Sequence, residues 1–236
     1  MAMQAEKKYY LRASDFDKNS NMLPSATLGI FQDIAGYHAE SLGIGFFALL
    51  SKDCLWMVVR TKYIVEKVPE KYQTVTVKTW PIAPRGPILR RDYLMTNDAG
   101  EVLIRATSDW TVVNRQTRSL VNAKDIYPEG EFLSDFAIDA KLKKVKDLEG
   151  DGEQFSAMPQ FCDIDSNGHV NNTKYADYIV NAIKPERAIS EFQIDYQKEV
   201  LLGEEITLNV KHQENRTVIM GVDGEGEKKF AAEIVF

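Results

Sequence analysis

Three polar side chains of the types that take part in hydrolysis stand close together in the second half of the sequence. Asp165, Asn167 and His169 occupy alternate positions of one short segment, which runs into a helical pattern. Hydrolysis of an acyl group needs a water molecule, a base that activates it and hydrogen-bond donors for the developing oxyanion. A helix N-terminus adds free backbone N–H groups and the positive end of the helix dipole. The segment therefore has the composition of a hydrolytic site.

Each of the three side chains has a candidate role and a structural alternative. Asp165 could act as the base or orient the water, and the Asn167 amide could hold the carbonyl oxygen or the water. His169 could donate a hydrogen bond or shuttle a proton, because imidazole ordinarily titrates near neutral pH. Alternatively, Asp165 or Asn167 only caps the helix, and His169 only bonds a backbone carbonyl. A metal site is disfavoured, because His38, His169 and His212 lack ligand spacing.

The segment that carries these residues has a partner earlier in the chain. Asp15–Met22 matches Asp163–Val170 without gaps, and both segments lead into helical patterns. The residues that form one face of each pattern recur at the spacing of a buried helix stripe. They are Thr27, Ile30, Phe31, Ile34 and Ala35 in the first pattern, and Tyr175, Tyr178, Ile179, Ala182 and Ile183 in the second. The agreement of loop and helix at one offset predicts an internal duplication.

Runs rich in valine, isoleucine, threonine and aromatic residues follow each predicted helix and are typical of β-strands. They span residues 55–65, 73–81, 88–96 and 102–113 in the first half, and 189–196, 205–212, 217–222 and 228–235 in the second. A weaker match aligns Tyr63–Glu66 with Tyr196–Glu199. Each half is expected to be a long helix that covers one face of an antiparallel sheet. The predicted fold class is α+β, with the two halves packed as a pseudo-dimer.

The two halves are expected to have different tasks. The first copy has Asn21 in place of His169 and Pro24 in place of Asn172, so only the second copy keeps the full set of titratable groups. Residues 1–121 are therefore predicted to be a substrate-binding half, and residues 153–236 the catalytic half. The charged segment 122–152 is predicted to be the linker, with room for a short helix.

Composition limits the other classes of function. The formal net charge of −6 disfavours broad nucleic-acid binding, which needs a dense cationic face. Two cysteines, Cys54 and Cys162, give no disulfide framework and favour a reducing cytoplasm. No apolar run approaches the roughly 20 residues of a membrane span, and the N-terminus has no signal-peptide core. The expectation is a soluble intracellular protein.

With these residues considered together, the chain resembles the acyl-acyl carrier protein (acyl-ACP) thioesterases. Asp163–Tyr175 is similar to the catalytic segment of that family, and the resemblance covers most of the chain. The similar stretches of the first half are Val77–Trp80, Leu89–Tyr93, Arg105–Trp110 and Asn114–Arg118. The resemblance implies two tandem hotdog folds, in each of which a sheet wraps a long helix. It also implies hydrolysis of fatty acyl-ACP thioesters, without a cofactor.

The resemblance assigns a set of catalytic positions to this sequence. They are Asp165, Asn167, His169 and Glu199, the last on a strand after the second helix. Many plant members have a cysteine directly after that glutamate, where this chain has Val200, which favours direct attack by water. Cys162 lies near the loop but outside the motif and is expected to be a buried or half-buried thiol. Whether Asp165 or Glu199 is the base stays open.

Plant members also carry an N-terminal extension for import into plastids. This sequence starts almost at the first strand of the family's fold, so the resemblance implies a bacterial, cytoplasmic form. The implied partner is acyl carrier protein with a fatty acyl chain on its phosphopantetheine arm, and a homodimer is compatible with the sequence. Neither nucleic acid nor a membrane span is expected.

Acyl carrier protein is acidic, so an acidic enzyme needs a local basic surface to meet it. Arg85, Arg90 and Arg91 could form that surface at a turn between strands, although internal salt bridges with Asp92 or Asp109 are an equal alternative.

The acyl chain itself needs an apolar tunnel in the first half. Its candidate lining residues, although residues of these types are more often ordinary core, are Phe31, Ile34, Phe46, Phe47, Trp56 and Met57.

Three rival functions use the same fold. An acyl-coenzyme A thioesterase would use the same four residues, and the first-half motifs favour the acyl-ACP substrate over it. A non-catalytic acyl-binding protein is disfavoured by the intact set of polar residues, and a hotdog dehydratase would act on 3-hydroxyacyl chains. The sequence does not predict the length or saturation of the acyl chain.

Overall fold

The computed structural model describes residues 3–122 and 126–236. Its helices are α1 (Pro24–Ser41), α2 (Phe46–Leu50) and α3 (Lys174–Ile183). Its strands are β1 (Ala5–Tyr10), β2 (Cys54–Val65), β3 (Thr74–Pro81), β4 (Leu89–Asn97), β5 (Val102–Asn114), β6 (Glu153–Ala157), β7 (Glu191–Tyr196), β8 (Ile206–Gln213), β9 (Arg216–Val222) and β10 (Lys228–Val235). Eight of these strands match the predicted runs, and β1 and β6 lie outside them. None of the described helices is both long and apolar enough to cross a membrane.

The first compact unit consists of Met1–Ala13 and Gly29–Leu142. Its five strands pair antiparallel in the order β1-β3-β4-β5-β2. Helix α1 packs on this sheet through Phe31, whose ring centroid lies 4.9 Å from that of Tyr93 on β4. Most of the predicted helix stripe is buried, as expected for a helix that covers the apolar face of a sheet.

The second unit consists of Ser14–Leu28 and Lys143–Phe236. Its strands also pair antiparallel, in the order β7-β10-β9-β8-β6. Helix α3 packs on the sheet through Tyr175, whose ring lies 5.5 Å from that of Tyr196 on β7 and 5.2 Å from that of Phe230 on β10. Each unit is thus a helix on an antiparallel sheet, and the predicted α+β fold class is confirmed.

The segment between the halves contains turns, bends and isolated bridges where it is described. Of the predicted linker 122–152, residues 123–125 lie outside the described part of the chain, and 126–152 contain no helix. The backbone N–H of Ala137 instead donates to Asp92 (2.7 Å) in the first unit, and that of Val145 donates to Asp195 (2.9 Å) in the second. The short helix for which the sequence leaves room is not found in residues 126–152, where two backbone N–H groups bond to strand carboxylates instead. The predicted boundaries of the halves stay a prediction.

Candidate active site

The predicted catalytic loop is a tight turn closed by the Asp165 carboxylate. Its Oδ1 atom accepts the backbone N–H groups of Asn167 (2.8 Å) and His169 (3.3 Å). The Asp165 N–H donates to the His169 carbonyl (2.8 Å), and Gly168 takes a φ of 85°. A side chain with a Cβ is strained at this φ, which accounts for the glycine. Asp165 therefore fixes the loop that presents Asn167 and His169.

The loop of the first copy has the same bonds. Asp17 Oδ1 accepts the backbone N–H groups of Asn19 (2.8 Å) and Asn21 (2.9 Å). The Asp17 N–H donates to the Asn21 carbonyl (2.9 Å). Each loop also follows a single 3-10 turn and closes with one isolated bridge. The predicted duplication is thus present in the hydrogen bonds of the two loops.

The polar residues of the second loop do not cap α3. The N-cap residue of that helix is Thr173, whose backbone N–H and hydroxyl both donate to Asn171 Oδ1 (3.0 and 2.9 Å). The Asn167 side chain is exposed, and its amide Nδ2 lies 3.4 Å from Asp165 Oδ2. Simple helix capping is therefore the wrong explanation for Asp165 and Asn167. Asp165 does have a structural task, which is to order its own loop.

His169 lies beside Glu199, the residue that the family resemblance assigns from a distant part of the chain. The His169 Nε2 and Glu199 Oε2 atoms are 3.8 Å apart, and each side chain is about one-third exposed (31% and 30%). The Val170 N–H donates to the Val200 carbonyl (2.9 Å), and this bond brings the two preceding residues together. Glu199 lies just past the end of β7 and not on a strand, because β7 ends at Tyr196.

Tyr175 is a residue of this region that the sequence analysis assigns only to the helix stripe. It is buried, its hydroxyl bonds the backbone of Val200, and burial raises its pKa. The negative charges of Glu204, Glu199 and Asp165 raise the pKa further, so the hydroxyl lies close to the acidic part of the site. The first copy has Thr27 here, and its hydroxyl donates to the carbonyl of Leu23, the residue directly before α1 (3.3 Å). This tyrosine-to-threonine difference is the signal that could have identified Tyr175.

The connection that follows β2 in the first unit has the same bonds as the connection that follows β7 in the second. In the first, the backbone N–H groups of Glu66 and Lys67 donate to the Leu103 carbonyl (2.9 and 3.2 Å), and the Lys67 side chain pairs with Glu101 (2.7 Å). In the second unit, the backbone N–H groups of Gln197 and Lys198 donate to the Lys229 carbonyl, and the Lys198 side chain pairs with Glu227. Lys67 therefore corresponds to Lys198.

By this correspondence the first copy has Val68 in the place of Glu199. The alignment of Tyr63–Glu66 with Tyr196–Glu199 in the sequence pairs Glu66 with Glu199. It differs by two residues from the correspondence that the hydrogen bonds give. A shift of two keeps every side chain on the same face of a strand, so the apolar pattern does not reveal it. The first copy lacks both ionisable groups, since Asn21 replaces His169 and Val68 replaces Glu199. The candidate site is therefore built only in the second copy.

Two protein-family models match the two halves of the chain. The acyl-ACP thioesterase N-terminal domain matches residues 3–129, and the acyl-ACP thioesterase C-terminal domain matches residues 147–236. The chain belongs to the acyl-ACP thioesterase family.

Curated relatives and solved structures of this family agree with the assignment. A chloroplastic dodecanoyl-[acyl-carrier-protein] hydrolase of Umbellularia californica is 33% identical over 202 residues, which are 78% of this chain and 52% of the relative. A chloroplastic oleoyl-acyl carrier protein thioesterase of Arabidopsis thaliana is 27% identical over 217 residues, which are 82% of this chain and 59% of the relative. The chain thus spans about half the length of the curated relatives it matches.

The fold is shared along almost the whole chain. An acyl-ACP thioesterase structure from Bacteroides thetaiotaomicron superposes with a TM-score of 0.86 at 20% identity, and covers 99% of this chain and 98% of its own. The 12:0-ACP thioesterase of Umbellularia californica superposes with a TM-score of 0.83 at 25% identity, with 99% and 96% coverage. The expected architecture of tandem hotdog folds is confirmed by these superpositions.

Two positions where a thiol could take part in the reaction bear on the chemistry of this family member. Val200 is fully buried and aliphatic, so the position after Glu199 offers no nucleophile. Cys162 is exposed, which corrects the expectation of a buried or half-buried thiol. Its Sγ lies 3.9 Å from Asp163 Oδ1, within the 3-10 turn that precedes the loop. No cluster of side chains in the described residues could hold a metal ion.

The expected basic docking surface is wrong for two of its three arginines. Arg91 is 5% exposed and lies 2.9 Å from His38 Nδ1. Arg90 pairs with Asp92 (2.7 Å) and donates to carbonyls of the linker. Only Arg85 of the three is exposed. The internal ion pair was therefore the correct alternative for Arg90, whereas Arg91 is buried on β4 against His38 and Thr79.

The candidate tunnel residues divide between the interior and the surface. Phe31 and Ile34 are buried, and Trp56 packs against an apolar cluster of the first unit. Phe46 and Phe47 are exposed on α2, Phe47 by 75%. The two phenylalanines therefore do not line the interior of the first unit.

Proposed function

We propose that this acyl-ACP thioesterase family member hydrolyses fatty acyl-ACP thioesters to free fatty acid and acyl carrier protein. The observation that carries the proposal is the pairing of His169 with Glu199 beside a loop that Asp165 holds in place. The names of its relatives, dodecanoyl-[acyl-carrier-protein] hydrolase among them, support acyl-ACP as the substrate class.

The four candidate residues divide the work of the reaction. Glu199 accepts a proton from water as the water oxygen bonds to the thioester carbon. The exposed Asn167 amide donates to the oxyanion that forms on the carbonyl oxygen. As the C–S bond breaks, protonated His169 gives its proton to the leaving sulfur. Glu199 then passes its proton to His169 as their 3.8 Å separation shortens to a hydrogen bond in the substrate complex, which restores the starting state.

Asp165 takes no proton in this scheme. Its Oδ1 is occupied by two backbone N–H groups, as is that of Asp17 in the copy without histidine. It acts by holding Asn167 and His169 at the geometry that the reaction requires. Glu199 is therefore the working base in our proposal.

Water attacks the thioester directly. The aliphatic Val200 follows Glu199, so no thiolate is at hand to form an acyl-enzyme there. We expect the reaction to take place in the cytoplasm, with acyl carrier protein as the partner.

The test compares a panel of acyl-ACP substrates of different chain lengths with the same acyl groups on coenzyme A. We expect released fatty acid with a higher kcat/KM for the carrier-protein esters, measured by mass spectrometry. We also expect Glu199→Gln and His169→Ala to lower kcat by roughly a hundredfold without unfolding the protein, the scale of acid–base catalysis. A preference for coenzyme A esters would overturn the substrate assignment, and unchanged turnover in both variants would overturn the mechanism.

A further inference from the structure

Glu199 lies on a connection without regular structure, between the end of β7 at Tyr196 and the start of β8 at Ile206. The backbone of Glu199 thus lies outside the regular strand pairing of the sheet. A catalytic base nevertheless needs a fixed position, because small displacements of reacting groups cost large factors in rate. The contacts that fix this connection therefore matter to the proposed reaction.

A turn directly after Glu199 closes this connection. The Leu201 N–H donates to the Glu204 carboxylate (2.8 Å), and the Glu204 N–H returns a bond to the Leu201 carbonyl (3.2 Å). Gly203 takes a φ of 75° within this turn. Glu204 is also close to the site. Its negative charge and the negative charge of Glu199 both raise the pKa of Tyr175.

The side chain of Lys229, on β10, binds this turn through the Glu204 carboxylate. Its Nζ lies 2.6 Å from Glu204 and 3.1 Å from Asp223, and only 9% of the side chain is exposed. A buried cation is costly unless it is paired with good geometry, which both contacts provide. Burial lowers the pKa of Lys229, but the hydrogen bonds to Glu204 and Asp223 outweigh this and raise it, so the lysine is charged.

The first copy makes the same turn without charges. There the Glu70 N–H donates to the Gln73 side chain (3.1 Å), and the Gln73 N–H returns a bond to the Glu70 carbonyl (3.4 Å). Gln73 thus takes the place of Glu204. The residue in the place of Lys229 is Leu103, which is 1% exposed. The turn therefore forms with a glutamine and a leucine, and the ion pair is present only in the copy that has Glu199.

We infer that Lys229 is a positioning residue for the base: through Glu204 it fixes the turn after Glu199 and holds the Glu199 carboxylate at its distance from His169. The inference rests on the proposed function, because it assigns Lys229 to that same site. It also explains why a buried lysine is retained where the fold accepts leucine.

The experiment replaces the charged pair by the pair of the first copy, as Lys229→Leu with Glu204→Gln in the full chain. We expect kcat for an acyl-ACP substrate to fall about tenfold or more while KM changes little, because substrate contacts are untouched. Lys229→Arg, which keeps the charge, should retain most of kcat. Lys67→Met, which removes an exposed lysine–glutamate pair with Glu101 in the first copy, is the control and should leave kcat unchanged.

Hydrogen exchange separates this inference from the proposed function. Backbone amides of residues 197–204 should exchange faster in the double variant than in the wild type, whatever the activity. A wild-type protein that hydrolyses no acyl thioester would overturn the proposed function alone. Unchanged kcat together with unchanged exchange in 197–204 would overturn the role of Lys229, and so would a loss of thermal stability with unchanged kcat.

Discussion

Asp165 and Asp17 each accept two backbone N–H groups, in loops of the same geometry. Only one of these loops has a histidine at its fifth position, since Asn21 stands where the other has His169. An aspartate in this kind of turn bonds to the backbone two residues ahead, and asparagine does the same. The acceptor oxygen is thus what the loop needs, and the negative charge is not.

This difference leads to a prediction for two substitutions at Asp165. Asp165→Asn keeps the oxygen that accepts both N–H groups, so we expect kcat within about tenfold of the wild type, the scale of one weakened hydrogen bond. Asp165→Ala leaves both donors without their acceptor, so the loop loses its geometry and kcat should fall roughly a hundredfold. Steady-state kinetics of the two variants measures the contrast. Asp17→Asn is the control, with no expected change in kcat.

The prediction fails if the asparagine and alanine variants lose activity equally. That outcome would mean that the charge of Asp165 is required, and would make Asp165 the base in place of Glu199.

Among the secondary-structure elements, the sequence predicts those with a clear apolar period. The eight predicted strands and the two helix stripes have such a period, and all are present. Strand β6 has none, because it is a mostly exposed strand that pairs only with β8. The end of α3 has a local cause, since Lys184 takes a φ of 45° and is followed by Pro185, which disfavours a helical residue before it.

One prediction at this scale concerns the packing of α3 on its sheet. Gly221 on β9 has no room for a Cβ, which would lie 2.1 Å from an atom of the Phe230 ring. That ring packs against Tyr175, so Gly221→Ala should displace both aromatic rings. We expect a loss of about 1–3 kcal/mol in the free energy of unfolding, as overpacked cores show, together with a lower kcat. Chemical denaturation measures the loss.

Gly224→Ala is the matched control, because a Cβ at that position would meet nothing within 4 Å. It should unfold at nearly the wild-type denaturant concentration. Equal stability of the two alanine variants would show that Phe230 can move aside without cost.

Across the whole molecule, the sequence predicts what is local and misses what depends on long-range pairing. The loop, its duplication and the loss of His169 from the first copy all follow from residues close in sequence. The meeting of His169 with Glu199 depends on the bond from Val170 to Val200, which no local pattern shows. Family resemblance identified Glu199, and the structure adds that Val68 takes its place in the first copy.

The burial of one histidine predicts how the stability of the molecule depends on pH. His38 is 1% exposed, and burial, followed by the charge of Arg91, lowers its pKa from 6.5 to about 4. Between these two values the unfolded chain binds a proton that the folded chain does not, so the stability falls as the pH falls from 6.5 towards 4. By pH 4.5 this one group should lower the free energy of unfolding by roughly 2–3 kcal/mol.

Chemical denaturation between pH 7 and pH 4.5 tests this for the wild type and for His38→Gln. Glutamine can still accept a hydrogen bond from Arg91 but does not titrate in this range. The stability of the variant should therefore decline less steeply with acid than that of the wild type, by the amount that His38 contributes. His212→Gln, which replaces an exposed histidine of β8, is the control substitution. If the free energy of unfolding declines equally with acid in the wild type and in His38→Gln, the prediction is wrong. His38 would then bind its proton in the folded protein despite its contact with the Arg91 guanidinium.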